Sequence, residues 1–122
     1  MARILLVDND EEQRTRLAAV LRQAGHEAEE AHDGKDALLA LRDRHYDLVI
    51  TEVLLNEMDG TAVVTYLEAQ PHKPKIIALS GGNSQIPAEM ALLLVKPQVN
   101  ITLPKPVDEK ELVKLAASLL AA

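Results

Sequence analysis

Four short apolar runs divide the chain, and a polar group follows each of them. The runs span residues 4–7, 48–51, 76–79 and 99–103. Apolar runs of this length, bounded by turn residues, are typical of buried parallel strands, whose carboxyl ends meet at one edge of a sheet. The polar groups that follow the runs are Asp8-Asn9-Asp10, Glu52, Ser80 and Lys105. The pattern therefore predicts acids, a hydroxyl and a lysine at one sheet edge.

Segments of helical periodicity lie between these runs, and most begin with a capping signal. Asp10 with Gln13 and Asp108 with Glu111 have capping-box spacing, and an aspartate-glycine pair opens the helices at 33–34 and 59–60. The apolar positions assigned to buried helix faces are Leu17, Val20, Leu21, Ala24, Ala37, Leu38, Leu41, Val63, Val64, Leu67, Leu112, Leu115, Ala116, Leu119 and Leu120. Residues 26–31 alternate weakly and carry three glutamates, which indicates an edge strand.

Alternating strands and helices predict right-handed crossovers and a parallel sheet that is covered on both faces. Five such units favour an α/β, flavodoxin-like doubly wound sheet with strand order 2-1-3-4-5 and five helices. No linker or repeat interrupts the pattern, so we assign residues 1–122 to one domain. The ligand crevice of this fold opens beside strands one and three.

The chain resembles the receiver domain of bacterial two-component response regulators over essentially its whole length. The segment Tyr46 to Gly60 is similar to the family's third strand and following loop, and its Met58-Asp59-Gly60 ending fixes the register. In that register Glu52 stands where the family has its phosphate-accepting aspartate. The resemblance implies a signalling module of a phosphorelay rather than an enzyme.

The resemblance also implies a magnesium site at the same edge. The family's ligand positions read Asp8, Asn9, Glu52 and the Leu54 carbonyl here, with Asp10 as a further acid. Mg²⁺ prefers compact octahedral oxygen coordination, and Asn9 supplies an oxygen but no charge. Asp10 is also the predicted helix cap. We therefore expect a weak or vestigial Mg²⁺ site.

Three further positions match the family's phosphate site. Ser80 matches the hydroxyl residue, Gly81 matches the small residue beside it, and Lys105-Pro106 matches the lysine-proline element after the fifth strand. The resemblance implies that the Lys105 ammonium pairs with the acceptor, so we expect a bridge to Glu52. It also implies a cis Lys105-Pro106 bond, which X-Pro sequences adopt at modest cost.

Glu52 replaces the family's phosphate-accepting aspartate, and this replacement determines the function that we expect. The extra methylene moves the carboxylate away from the geometry that in-line attack on a phosphohistidine requires. Its permanent charge of about −1 compares with about −1.5 to −2 for a phosphoryl group. We expect a degenerate, phosphorylation-independent pseudo-receiver, in which Glu52 either mimics the activated state or is a tolerated acid. One alternative is a metal-dependent receiver that accepts phosphate on Asp8 or Asp10. The other is a small phosphatase, because Asp8-Asn9-Asp10 resembles the Asp-x-Asp opening of haloacid-dehalogenase-type enzymes.

The residues of the predicted output face also depart from the family. Thr102 replaces the aromatic switch residue, and residues 90–95 form a continuous apolar block. We predict that Met90, Ala91, Leu94 and Val95 face the sheet while Leu92 and Leu93 point outward. The predicted interface comprises Met90, Leu92, Leu93 and Thr102, on the face formed by helix 4, strand 5 and helix 5. Its expected partners are a histidine kinase, an output domain or a second copy of the chain.

Composition narrows the partners and the location. The formal net charge of −6 argues against direct nucleic-acid binding, which depends on lysine and arginine. The chain has no cysteine, which excludes a disulfide framework, and no apolar stretch long enough to span a membrane. We therefore expect a cytoplasmic protein that contacts neither nucleic acid nor membrane.

Overall fold

The computed structural model describes residues 2–55 and 59–122, which form one parallel sheet with helices on both faces. The strands are β1 Arg3–Val7, β2 Glu27–Ala31, β3 Leu48–Glu52, β4 Lys75–Ser80 and β5 Ile101–Pro104. The helices are α1 Glu11–Gln23, α2 Gly34–Asp43, α3 Gly60–Glu68, α4 Ala88–Leu93 and α5 Glu109–Ala121, and a short 3-10 turn spans Lys96–Gln98. The sheet order β2-β1-β3-β4-β5 confirms the predicted fold. Met58, part of the predicted register motif, lies outside the described residues.

Two hydrophobic cores, one on each side of the sheet, explain why the strands are apolar at consecutive positions. Ile4 and Leu6 pack toward α1 and α5, whereas Leu5 and Val7 pack toward α2, α3 and α4. Successive strand side chains point to opposite faces, and here both faces are covered. A strand that is buried on both faces has no solvent-facing position for a polar residue.

Aspartates precede four of the helices, and three of them cap through the side chain. Asp10, Asp33 and Asp108 accept the backbone N–H groups of Gln13, Asp36 and Glu111 at 3.2, 2.7 and 3.0 Å. These bonds satisfy amide groups that the first helical turn leaves without partners. Asp59 precedes α3 but makes no side-chain capping bond.

The glutamates of the edge strand β2 are paired with arginines. Glu29 Oε2 lies 2.8 Å from Arg44 Nη1, and Glu30 Oε1 lies 3.0 Å from Arg14 Nε. The predicted edge position of β2 is confirmed. Charged side chains on this strand discourage pairing with a further strand.

The helical phase predicted for α4 is wrong. Leu92 is buried with Ala91 and Val95 in the core beneath α4, whereas Met90 and Leu94 are 57% and 56% exposed. Leu93 is 60% exposed, as predicted, and the predicted burial of Ala91 and Val95 is also confirmed. Because all six residues of the 90–95 block are apolar, every rotation of the helix presents an apolar stripe to the sheet. The sequence pattern therefore could not fix the rotation.

Two smaller corrections concern element ends. Strand β5 begins at Ile101 rather than Val99, because the 3-10 turn at Lys96–Gln98 precedes it and delays the pairing with β4. Ala24 is exposed, not buried, because α1 ends at Gln23 and Ala24 is its C-cap. Ala18, which the pattern did not assign to the buried face of α1, is fully buried.

Candidate functional site

The register of the parallel strands brings the predicted polar groups to one edge of the sheet. Val7 pairs with Thr51 and Ser80 pairs with Pro104, so Asp8, Glu52, Ser80 and Lys105 all lie at strand ends on the same side. The crossover topology places these ends together although the residues are far apart in sequence.

Lys105 bridges the two acids. Its Nζ lies 2.8 Å from Asp8 Oδ2 and 2.7 Å from Glu52 Oε1, so the predicted ion pair with Glu52 is present and a second pair with Asp8 accompanies it. Asp8 is fully buried, Glu52 is 5% exposed, and the Lys105 side chain is 17% exposed. Two carboxylates with so little contact with water require a nearby positive charge.

The remaining carboxylate oxygens accept backbone hydrogen bonds. The Asp10 N–H donates to Asp8 Oδ1 at 3.0 Å, and the Leu54 N–H donates to Glu52 Oε2 at 3.0 Å. Each of the four carboxylate oxygens therefore already has a proton donor. The Glu52 carboxylate is held against the loop that follows β3.

The electrostatics of the site keep Lys105 protonated. Burial on its own lowers the pKa of Lys105, but the hydrogen bonds and negative charges of Asp8 and Glu52 outweigh this effect. The pKa of Lys105 is therefore raised above its ordinary value. The lysine is a permanent cation at neutral pH.

Two residues that the sequence analysis did not assign to the site support its backbone. Arg14 Nη1 donates to the Asp8 carbonyl at 2.8 Å, which ties α1 to the end of β1. At Gly60 a Cβ atom would clash with the Glu52 carbonyl oxygen, so only glycine allows α3 to begin this close to β3. The sequence analysis treated the aspartate-glycine pair at 59–60 only as a helix start, and no sequence pattern pointed to Arg14.

The other predicted phosphate-site residues surround the lysine. Ser80 is fully buried, and its Oγ accepts the Gly82 N–H at 3.0 Å. A Cβ on Gly81 would lie 3.4 Å from Lys105 Cβ, so Gly81 packs beside the lysine stem. The Lys105-Pro106 bond is cis, as expected from the resemblance.

A cleft of about 460 Å³ opens over the bridge. It is lined by Asn9, Glu52, Leu54, Leu55, Asp59, Gly82, Asn83, Ile86 and Lys105. Asn9 and Glu52 both line this cleft, whereas the Asp10 side chain caps α1. Asp59 and Asn83 add polar groups at the cleft that the sequence analysis did not include.

The arrangement does not fit a Mg²⁺ ion. Such an ion needs oxygen ligands at about 2.0–2.1 Å, but the Lys105 ammonium, 2.8 Å from Asp8 Oδ2 and 2.7 Å from Glu52 Oε1, already lies between the two carboxylates. Within residues 2–55 and 59–122, no three His, Cys, Asp or Glu side chains are grouped so that they could hold a metal ion. We therefore derive no chemistry through a metal.

A second cavity contains all four residues of the predicted interface. It has a volume of about 650 Å³ and lies between α4 and β5, lined by Pro87, Glu89, Met90, Leu92, Leu93, Lys96, Thr102 and Pro104. Leu92 is buried rather than outward, but it contributes to the lining of this groove. None of the described helices is both long enough and apolar enough to cross a membrane.

Comparison with known proteins gives consistent matches. A family model for the response regulator receiver domain matches residues 4–117. The transcriptional regulatory protein CpxR of Klebsiella pneumoniae is 33% identical over 98% of this chain and 50% of its own length. A putative response regulator from Chloroflexus aurantiacus has a TM-score of 0.85 and 29% identity, covering 99% of this chain and 98% of that one.

A structure with bound ligand matches as well. The response regulator TrrA of Thermotoga maritima, in complex with Mg²⁺-BeF, has a TM-score of 0.80 and 26% identity over 98% of this chain and 99% of that one. This chain spans half the length of CpxR. The family match extends from β1 into α5. The chain belongs to the response regulator receiver domain family.

Proposed function

We propose that this chain is a receiver module of a two-component phosphorelay that works without aspartyl phosphorylation, through binding to other proteins and not as an enzyme. The observation that carries the proposal is the state of Glu52. Its carboxylate is 5% exposed and is held by Lys105 at 2.7 Å and by the Leu54 N–H at 3.0 Å. Both oxygens of the Glu52 carboxylate are therefore already engaged by nitrogen groups of the protein.

The length of the side chain adds to this argument. Phosphoryl transfer depends on holding the attacking oxygen in line with the leaving group, and a displacement of 1 Å is enough to reduce the rate about a hundredfold. Glu52 is longer than aspartate by one methylene, and its carboxylate reaches past the strand end to Leu54. Asp8 is no better placed, because it is fully buried and both of its oxygens accept hydrogen bonds.

The proposed partner surface is the groove between α4 and β5. Met90 and Leu93 are more than half exposed beside it, and Thr102 supplies a small side chain on the β5 side. Large exposed apolar residues that cluster around a groove are typical of protein-binding surfaces. A histidine kinase or an output domain is the proposed partner, and a second copy of the chain is the alternative. The proposed location is the cytoplasm.

Intact mass spectrometry tests the absence of phosphorylation. The protein is incubated with Mg²⁺ and a small acyl phosphate, and Glu52→Asp is treated in parallel. We expect the wild type to keep its mass and Glu52→Asp to gain one phosphoryl group. A phosphorylated wild type would contradict the proposal, and mapping the modified residue to Asp8 or Asp10 would favour the metal-dependent alternative.

Sedimentation and binding measurements test the partner surface. Leu93→Glu should weaken binding to a cognate kinase or output domain, or weaken self-association, by at least about tenfold, because it places a charge in the apolar groove. Leu39→Glu is the matched control, since Leu39 is 44% exposed on α2, outside the groove. Equal effects of the two substitutions would count against this surface.

A further inference from the structure

We infer that the Lys105 ammonium takes the place of a divalent cation at this site, so that the wild-type domain neither needs nor binds Mg²⁺. The inference deepens the proposed function, on which it rests, by stating how the acidic site is kept neutralised and inactive. One matching structure, that of TrrA, contains Mg²⁺-BeF, whereas the contacts of the acidic site in this chain disfavour such an ion.

The first support is the hydrogen bonding of the two acids. Asp8 Oδ2 and Glu52 Oε1 both accept from Lys105 Nζ, at 2.8 and 2.7 Å. The other oxygen of each carboxylate accepts a backbone N–H at 3.0 Å. An ion that entered the site would have to replace strong, charge-assisted bonds.

The second support is the charge at the family's ligand positions. Asp8 and Glu52 carry two negative charges, Asn9 carries none, and Lys105 returns one positive charge. The net charge at the bridge is therefore −1, and an ammonium 2.8 and 2.7 Å from the two carboxylates repels a dication that approaches them. Asp10 does not compensate, because its side chain caps α1.

The third support is the extra reach of Glu52. Its Oε2 accepts the N–H of Leu54, two residues further along the chain. The Glu52 carboxylate is therefore held between the loop after β3 and Lys105 after β5. An aspartate is one methylene shorter, so the bond from Leu54 depends on the reach of glutamate at this position.

The inference predicts that removing Lys105 creates a cation site. Lys105→Met keeps an apolar stem of similar length and leaves two buried carboxylates facing each other beside Asn9. Without the ammonium these two groups gain an uncompensated charge of −2, which favours a hard dication with oxygen ligands. Lys105→Arg keeps the positive charge and should stay insensitive to the ion.

Thermal unfolding tests this prediction. Each protein is unfolded with and without 10 mM MgCl₂, with KCl added to keep the ionic strength equal. This concentration is about ten times the dissociation constant expected for Mg²⁺ at the new site, which is on the order of 1 mM. We expect the Tm of the wild type and of Lys105→Arg to change by no more than about 1 °C, and that of Lys105→Met to rise by about 5 °C. Glu52→Gln combined with Lys105→Met should lose most of that rise. Lys110→Met, which removes an exposed lysine of α5, is the matched control and should behave as the wild type.

Other results would overturn the inference. A Lys105→Met protein that gains no more than the wild type would show that the lysine does not exclude the ion. If this variant is unfolded in KCl, Mg²⁺ should restore its helical circular dichroism, and failure to do so counts against the inference. Saturable NMR shifts of the wild-type Asp10 and Leu54 amides with Mg²⁺ would also refute it.

The outcome is separable from that of the proposed function. A wild type that binds Mg²⁺ but stays unphosphorylated refutes this inference alone. A wild type that is phosphorylated by the acyl phosphate refutes the proposed function, whatever its response to Mg²⁺.

Discussion

Removing the charge of Lys105 should lower the free energy of unfolding more than removing the charge of any other lysine in the described part of the chain. Breaking a buried ion pair by deleting one partner costs about 3–5 kcal/mol, because the other charge is left uncompensated. Here Asp8 is fully buried and Glu52 is 5% exposed. Each keeps one backbone hydrogen bond, and the cleft admits water to Glu52. We therefore expect the lower end of the range, about 3 kcal/mol, for Lys105→Met in the absence of divalent ions.

A double-mutant cycle separates the charge coupling from the loss of packing. Glu52→Gln keeps an oxygen for the Leu54 N–H and removes one negative charge, so it relieves part of the penalty in Lys105→Met. We expect the double mutant to be about 1.5 kcal/mol more stable than the sum of the single effects. Urea unfolding followed by circular dichroism, with unchanged m-values, gives the four free energies of unfolding.

Two results of these unfolding measurements would contradict the predicted role of the Lys105 charge. The prediction is refuted if Lys105→Met loses less than about 1 kcal/mol, or if the single effects add within about 0.5 kcal/mol. Lys110→Met controls for loss of a lysine as such, since a change at this exposed position should stay within about 0.5 kcal/mol.

Further predictions concern the edge strand, the start of α3 and the helix caps. Tyr46→Phe should lose about 1.5 kcal/mol at pH 8, because the Tyr46 hydroxyl donates to Glu29 Oε1 at 2.6 Å. Burial, together with the hydrogen bond and charge of Glu29, raises the pKa of Tyr46 above its ordinary value. The hydroxyl therefore contributes its full stabilisation below about pH 10 and loses it as the pH rises further. In urea unfolding, the difference in unfolding free energy between the wild type and Tyr46→Phe should be smaller at about pH 11 than at about pH 8, and a constant difference would contradict this. Gly60→Ala should destabilise the domain by about 2 kcal/mol in thermal unfolding, because its Cβ would meet the Glu52 carbonyl oxygen; a neutral result would show that α3 can move away. Asp108→Ala should cost about 1 kcal/mol and Asp59→Ala clearly less, because only Asp108 makes a side-chain capping bond; equal losses would refute the capping argument.

The fold was readable from the sequence because its signals are local. Run length distinguished the strands, and the aspartates at 10, 33 and 108 marked helix starts that the structure confirms with hydrogen bonds. The order of elements then restricted the topology to a parallel sheet, since the crossover rule leaves few alternatives. This order also predicted that Glu52 and Lys105 would lie at one edge of the sheet, and the family resemblance predicted that they would pair.

The phase of α4 was beyond the sequence. Six consecutive apolar residues satisfy the sheet-facing stripe in any rotation, so only packing against β4 and β5 decided that Leu92 is buried while Met90 and Leu94 are exposed. A local pattern carries no information about which of several equivalent faces fits the neighbouring layer.

The sequence determined which groups gather at the carboxyl edge of the sheet, and the tertiary structure decided which of these groups contact one another. Nothing in the order of residues indicated that Lys105 bridges Asp8 as well as Glu52, that Arg14 ties the Asp8 carbonyl to α1, or that Gly60 must leave room for the Glu52 carbonyl. These contacts depend on distances of a few ångströms between elements that are remote in the chain. Strand periodicity fixes which edge a side chain reaches, but only the packed backbone fixes which partner it finds there.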